Sequence, residues 1–507
     1  MTADGNEGRL LETILAHAGH RSDAPALTCG DSRLTWHDLA ARVLRLAGAI
    51  HAGLNGECRQ PIALIGANST DLVIAYLAAI AAGQCAVPLP VSASVETLTG
   101  MISDCRPRLI FTDRASFALI TPPEATETIG LDFSAGGVLP CEVFAARGKA
   151  LDAPVAMAAT DDFNIIYSSG TTARPKGIVH AHAMRYRQAM RATFGLGPQS
   201  TMLLATPLYS NTTLMPLLAT LVHGGHVVLT GKFSAPSYLA LAEKVRATHT
   251  MLVPIQYQRI LADPDFGERD LTAFAVKQCT GAPLAPAIKR ELVERWPGRL
   301  LEIYGLTEGG CTCILDVSAH PDRAHTVGRP ASGNDIRVID EQDIELPRGT
   351  AGEIVGRSPT MMSRYHHNQS ETDALYWTDA QGHRFHRTGD IGLIDEDGFL
   401  VLRDRKKDVI ISGGFNVYAS DLERVLAMHA DVADAAVIAI PSQTWGETPL
   451  GLVVLRQGAS LEPQVLCDWA NARVGKMQRL SAVELRDLLP RSPAGKILKQ
   501  ELKKPYW

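Results

Sequence analysis

The sequence predicts an α/β protein in two parts: a large N-terminal domain of α/β sheets with a β-rich subdomain, and a small α+β C-terminal domain. Three observations predict it. From residue 61 to 305, apolar runs of strand length alternate with helix-period stretches, the pattern of parallel strands covered on both faces. Between 326 and 402 the runs are short and separated by turn residues. After the charge run Asp404-Arg405-Lys406-Lys407-Asp408 the texture changes to a few strands and helices, near the lower end of usual domain size.

Taken in order, residues 9–53 read as helix, interrupted by a strand at 26–29 and a Gly30-Asp31 turn, with a second helix from about Thr35. Strands follow at 61–65, 85–89 and 109–112, with helices at 69–82 and 95–104 between and after them. Residues 122–160 are rich in Ala, Pro and Gly and read as a connection. An apolar run, 163–167, reads as a buried strand, and a helix begins near His182. Strands at 202–206, 226–229 and 250–253 alternate with helices around Leu214–221 and 235–247. Strands at 276–279 and 301–304 each run into a glycine turn, the form in which a ligand meets the carboxyl ends of a sheet. Short strands are expected at 335–339, 353–355 and 399–402. Ser420-Asp421-Leu422-Glu423 has the spacing of a capping box opening a helix through Leu426. Strands at 434–440 and 450–455 and a helix at 463–472 complete the small domain.

The 507 residues suffice for several domains and a large core. Hydrophobic residues at 46% and charged residues at 20% are ordinary for a globular protein. A net charge of −5 argues against a nucleic-acid binder, and no Lys/Arg block suggests a membrane tether. The first residues carry Asp4, Glu7 and Glu12 without an apolar core, so no secretory signal is expected. The longest apolar run, 72–82, is too short to span a bilayer. Nine cysteines without a C-x-x-C pair point to reduced thiols and a cytoplasmic setting. Cys311 and Cys313, at strand spacing, read as core packing. His180 with His182, and His366 with His367, lack the i, i+4 spacing of a zinc helix and read as structural or surface residues. No G-x-S-x-G elbow and no G-x-G-x-x-G appear, which disfavours a serine hydrolase and a dinucleotide fold.

The chemistry concentrates in Tyr167-Ser168-Ser169-Gly170-Thr171-Thr172-Ala173-Arg174-Pro175-Lys176-Gly177. Ser168, Ser169, Thr171 and Thr172 supply hydroxyl donors. Gly170 and Gly177 permit tight turns that expose N–H groups, and Arg174 and Lys176 add positive charge. Placed between a strand and a helix, such a loop suits the oxygens of a triphosphate. The Walker pattern is absent, so a P-loop enzyme is disfavoured.

This segment resembles the signature loop of adenylate-forming enzymes: acyl-CoA synthetases, peptide-synthetase adenylation domains and luciferase. The family form has Gly where this chain has Ala173. Further matches follow in family order between 162 and 501. Tyr304-Gly305-Leu306-Thr307-Glu308 resembles the AMP and metal segment. The resemblance implies Tyr304 stacked on adenine, Thr307 on the α-phosphate and Glu308 as an Mg²⁺ ligand. Gly281-Ala282-Pro283 resembles the adenine-side loop, and Arg387-Thr388-Gly389-Asp390 the ribose motif, with Asp390 as anchor and Arg405 in support. Lys407 matches the pivot of the family hinge, which implies domains at 1–404 and 405–507, the second mobile. Pro490-Arg491-Ser492-Pro493-Ala494-Gly495-Lys496 resembles the C-terminal lysine motif, whose lysine steadies negative charge as a carboxylate attacks the α-phosphate. Gly413-Gly414, Trp445, Lys476 and Arg479 are the expected contacts to CoA; Trp445 reads equally as a core residue. The acyl pocket is expected at Tyr209, Ser210, Asn211, Gly309 and Cys311, with Ser210 where many members carry His. The resemblance thus implies an acid–CoA ligase using ATP, Mg²⁺ and CoA on an aromatic or medium-chain acid, with a homodimer allowed. Transfer to a carrier-protein thiol or an amine is the alternative, and a regulator without catalysis is disfavoured by Glu308, Asp390 and Lys496.

Overall fold

The computed structural model describes residues 7–168, 176–413, 415–491 and 495–507. Contacts divide the chain into two compact units, Met1–Ala324 with Ser358–Tyr376, and His325–Arg357 with Trp377–Trp507. The expected domain border at 404/405 lies inside the second unit.

The first unit holds two sheets, each with a run of six parallel strands among the described residues. In one, the parallel order is Arg299–Gly305, Val276–Cys279, His249–Leu252, Thr201–Leu204, His226–Leu229, Pro25–Cys29. Antiparallel Thr312–Asp316 joins the first of these and Ser32–Thr35 the last. In the other, the order is Asp162–Ser168, Cys85–Pro88, Pro61–Ile65, Leu109–Thr112, Glu127–Gly130, Val138–Pro140. One continuous core draws on both sheets and on the helices Trp36–Gly53, Thr70–Ala81 and Asn211–Val222. Thr70–Ala81 is buried on every side except at Asp71, as a helix without a polar face must be.

Two sequence expectations need correction here. The phosphate-type loop does not lead from strand to helix. Lys176–Ala181 is itself a strand, antiparallel to Asp162–Ser168 with Ser168 opposite Lys176, and the helix His182–Ala189 follows it. Gly-Ile-Val-His is apolar enough for a central strand, and Arg364–Tyr365 pairs on its far side. Residues 122–160 are also more than a connection: Glu127–Gly130 and Val138–Pro140 extend the sheet, and Cys141–Ala145 is a short helix.

The second unit begins with an antiparallel sheet in which Asp335–Ile339, Gly352–Arg357, Arg384–Ile394 and Leu400–Arg405 pair in turn. Farther along, Phe415–Val417, Ile410–Ser412, Gly446–Leu455 and Val432–Ser442 form a second sheet, with Ala482–Leu485 parallel to Gly446–Leu455. Helices Ala419–Ala427 and Pro463–Asn471 pack one apolar cluster against it. The expected capping box does not form. The Ser420 hydroxyl donates to the Arg403 carbonyl, and Glu423 accepts from the Val437 N–H at 2.8 Å and pairs with Lys499 at 2.8 Å. The helix starts at Ala419 with no side-chain cap.

Candidate active site

In the first unit, strand Arg299–Gly305 delivers the turn carrying Thr307 and Glu308. The segment 358–376 presses onto this turn. Tyr365 Oη donates to Glu308 Oε1 at 3.0 Å, and the Met362 N–H donates to the Glu308 carbonyl at 2.7 Å. Gly309 sits at φ +74°, and a Cβ there would fall on the Thr360 carbonyl, so only glycine allows so close an approach. Burial, then the Glu308 carboxylate, holds the Tyr365 phenol well above its ordinary range. Lys176 Nζ pairs with Glu371 at 2.6 Å and lies 5.4 Å from the Tyr365 ring centre. One cluster therefore unites the expected residues Lys176, Thr307 and Glu308 with two that no motif marks, Tyr365 and Glu371. Ser169, Gly170, Thr171 and Thr172 lie outside the described residues, as does the Ser168 side chain.

Behind this cluster lies a buried polar network. His180 Nε2 donates to the Thr307 carbonyl at 2.7 Å. Its Nδ1 accepts from Arg185 at 2.9 Å, which fixes the tautomer, since an arginine cannot accept. Burial, then the Arg185 cation, pushes the His180 pKa well below its usual value, so the ring stays neutral. Arg185 is fully buried and also donates to Asn164 (3.0 Å), Gln188 (2.7 Å) and Asn211 (2.6 Å). Burial lowers its pKa to about 10, which leaves it charged at neutral pH. His180 and His182 are both buried, so the surface option for this pair falls and the structural one stands.

The Gly281-Ala282-Pro283 turn lies beside Tyr304, because Val276–Cys279 and Arg299–Gly305 are neighbours in register. Thr280 Oγ1 donates to the Ile303 carbonyl at 2.9 Å, and the Leu284 N–H donates to Glu302 at 2.9 Å, pinning both ends of the turn. Gly281 has φ +92°. Tyr304 is partly exposed, opposite the buried Cys313 in the sheet. Cys311 is buried as well, as core packing requires. Tyr209 Oη bonds Ser92 Oγ at 2.9 Å. Ser210 caps helix Asn211–Val222, its Oγ accepting from the Thr212 N–H at 3.2 Å. At the position where the sequence resemblance implies an imidazole in many members, this chain spends a small hydroxyl on the helix start.

In the second unit, Asp390 and Arg405 face each other in register and pair at 2.7 Å, with Asp390 6% exposed. The Asp390 N–H donates to Thr388 Oγ1 at 3.0 Å. Lys496 shares this charge cluster. Its side chain is exposed by surface area, yet it is crowded by protein. Loss of hydration first, and then the Arg405 and Lys407 cations, push its pKa down to about 8 against the pull of Asp390 and Asp408. Lys407 sits in a single 3-10 turn, Lys406–Asp408, between two strands. Gly413 has φ +57° and donates its N–H to the Trp445 carbonyl at 2.8 Å; an added Cβ would meet the indole at 2.7 Å. Trp445 is 50% exposed, so the core option for it falls. Lys476 and Arg479 are exposed and flank a 3-10 turn, Lys476–Gln478, near strand Phe415–Val417. Gly414 and residues 492–494 lie outside the described residues.

Against this geometry, residues 15–366 match the family model described as AMP-binding enzyme, and residues 421–496 match its C-terminal domain. The chain belongs to the AMP-binding enzyme family. A feruloyl-CoA synthase from Amycolatopsis is 30% identical over 491 residues, covering 95% of this chain and 96% of the relative. ATP-bound MatB from Rhodopseudomonas palustris superposes with a TM-score of 0.87 at 26% identity, covering 98% of this chain and 99% of that one. The amide bond synthetase McbA from Marinactinospora thermotolerans gives 0.87 at 26%, covering 99% of each chain.

Tyr365 and Glu371 escape motif reading because their partners, Glu308 and Lys176, lie far away in sequence. The Asn368-Gln369-Ser370-Glu371 spacing marks a helix start, which the structure shows with Asn368 as N-cap, but not an ion pair to Lys176.

Proposed function

We propose that the chain activates a carboxylic acid with ATP and passes the acyl group to the thiol of CoA, with an aromatic or medium-chain acid as substrate. It is an AMP-forming acyl-CoA synthetase in class. The observation that carries the mechanistic reading is the cluster of Lys496 with Asp390 and Arg405. Attack of a carboxylate on the α-phosphate brings two anions together, and an ammonium held beside the ribose anchor offsets their repulsion. In this reading Asp390 accepts from the ribose hydroxyls, Tyr304 and the 281–283 turn bracket the base, and Lys176 with the loop hydroxyls holds the triphosphate. Thr307 bonds the α-phosphate.

Glu308 fits a magnesium ligand. It is a hard oxygen donor oriented by Tyr365, and no group of three or more metal-ligating side chains exists among the described residues. A cation carried mainly by the nucleotide's phosphates needs no more protein than that. Bound there, Mg²⁺ would neutralise phosphate charge.

For the second half-reaction, residues 405–507 turn as a lid about Lys407, and CoA lies against Gly413 and Trp445 with its phosphates near Lys476 and Arg479. The acyl group sits near Tyr209, Ser210, Asn211, Gly309 and Cys311. Transfer to an amine or a carrier-protein thiol is the second reading, favoured by the likeness to an amide bond synthetase. A cytoplasmic setting and a homodimer belong to the proposal. The cysteines are free thiols, and no helix among the described residues is long and apolar enough to cross a membrane. Exchange of labelled pyrophosphate into ATP across an acid panel tests the first step. Product analysis with CoA, or with amines and no CoA, separates the acceptors. Exchange with no acid would refute the proposal.

A further inference from the structure

The phosphate-side lysine has an acidic partner of its own. Lys176 Nζ pairs with Glu371 at 2.6 Å, and the two side chains are 28% and 37% exposed, so a ligand can reach both. Each is held by its element. Lys176 opens strand Lys176–Ala181, opposite Ser168 in register. Glu371 lies in the first turn of helix Gln369–Ala374, where its N–H donates to Asn368 Oδ1 at 3.2 Å. That helix is tied to the Glu308 turn, because the Tyr365 N–H donates to Thr372 Oγ1 at 3.0 Å while Tyr365 Oη donates to Glu308. The other basic groups on this segment are engaged or neutral. Arg364 makes a two-pronged pair with Asp162 at 2.6 and 2.9 Å. Burial, then the neighbouring His367, lowers the His366 pKa and keeps that ring neutral. Glu371 and a bound phosphate chain therefore claim the same ammonium.

A partly exposed ion pair adds little to folding, so the use of this one is sought in the reaction. In the adenylation step an oxygen of the acid bonds to the α-phosphorus, and the bond from that phosphorus to the bridging oxygen breaks. The electron pair stays on the bridging oxygen, which becomes a terminal oxygen of pyrophosphate. The leaving group then carries more negative charge than it did within ATP, and an ammonium grips it more tightly than it gripped the substrate. Unopposed, Lys176 retains the product. A carboxylate already within contact of that ammonium offers it a replacement partner and repels the departing anion.

We propose that Glu371 is a positioning residue that governs pyrophosphate release, acting through Lys176. The inference rests on the adenylation reading above. It predicts a gain of affinity when the residue is neutralised, which a merely structural role does not give.

Magnesium pyrophosphate is the probe, and the readout is the concentration that half-saturates its exchange into ATP. Glu371→Gln keeps the size of the side chain and removes its charge. It should lower the half-saturating concentration about 5-fold, the scale of one partly exposed ion pair. Inhibition by AMP, which lacks the β- and γ-phosphates, should stay at the native level. Glu371→Asp, which keeps the charge, should remain near native. In a Lys176→Met background the Glu371→Gln change should lose most of its effect. Pyrophosphate affinity that is unchanged or weaker in Glu371→Gln overturns the inference, and so does an equal shift for AMP. A raised Mg²⁺ requirement in that variant would make the residue a metal ligand and overturns it too. Those outcomes leave adenylation standing, whereas a native protein that exchanges no pyrophosphate with any acid takes the adenylation reading down as well.

Discussion

Replacing Gly309 with alanine tests how the Glu308 turn is held. The residue sits at φ +74°, where a Cβ costs about 1–2 kcal/mol. The new carbon would also lie 2.9 Å from the Thr360 carbonyl carbon and 3.1 Å from Met361 Cα. Both are backbone atoms, so relief requires moving the segment, an overpacking cost of about 1–3 kcal/mol. Together the variant should lose roughly 2–5 kcal/mol, which lowers Tm by several degrees in a unit of this size. The displaced segment carries Met362 and Tyr365, so both of their bonds to Glu308 should loosen. Pyrophosphate exchange measured against Mg²⁺ concentration should show a raised requirement for the metal. Tyr365→Phe should raise it too, and the double variant should be less than additive, because both act on one carboxylate. A Gly309→Ala protein with native Tm and native Mg²⁺ dependence would refute the reasoning.

Lys496→Ala should abolish adenylation yet spare thioester formation from supplied acyl-AMP; equal loss in both half-reactions contradicts the assignment. Because the protonated lysine is the active form and its pKa is about 8, single-turnover adenylation should fall as pH rises through 8, and a flat profile to pH 9 speaks against it. Arg185→Met strips three buried acceptors, on Asn164, His180 and Gln188, and the half-buried Asn211 of their donor, at about 1–3 kcal/mol for each buried one left unpaired. Its Tm should drop more than that of Gly309→Ala, and an unchanged Tm would show the network to be dispensable. Trp445→Ala should raise KM for CoA several-fold and leave pyrophosphate exchange untouched, since the indole is half exposed beside Gly413; a matching loss of exchange would place it elsewhere.

Strands in the sheet interior were readable where they are nearly continuous apolar runs, as Pro61–Ile65 and Leu109–Thr112 are; Val276–Cys279, with Lys277 and Gln278 inside it, was marked instead by the glycine turn that follows. Lys176–Ala181 was not, since a lysine and a glycine open it and a histidine stands near its close. Only pairing on both sides, with Asp162–Ser168 and Arg364–Tyr365, makes it a strand. At 420–423 the local signal was real but lost to distant partners, Arg403, Val437 and Lys499, each offering a bond that the helix start would have used. The site behaves likewise. Glycine turns and charged motifs are contiguous and visible, whereas the bonds of Tyr365 to Glu308 and of Glu371 to Lys176 join residues that only the fold brings near.

The pairing of Pro25–Cys29 with His226–Leu229 has a consequence for synthesis. The first strand emerges from the ribosome long before its parallel neighbour exists. With about 200 residues still to be translated at roughly 5–20 per second, it waits on the order of 10–40 seconds. Over the same interval helix Thr70–Ala81, apolar on nearly every side, has only one of its two covering sheets in hand. Truncations that end within that interval should therefore aggregate rather than fold.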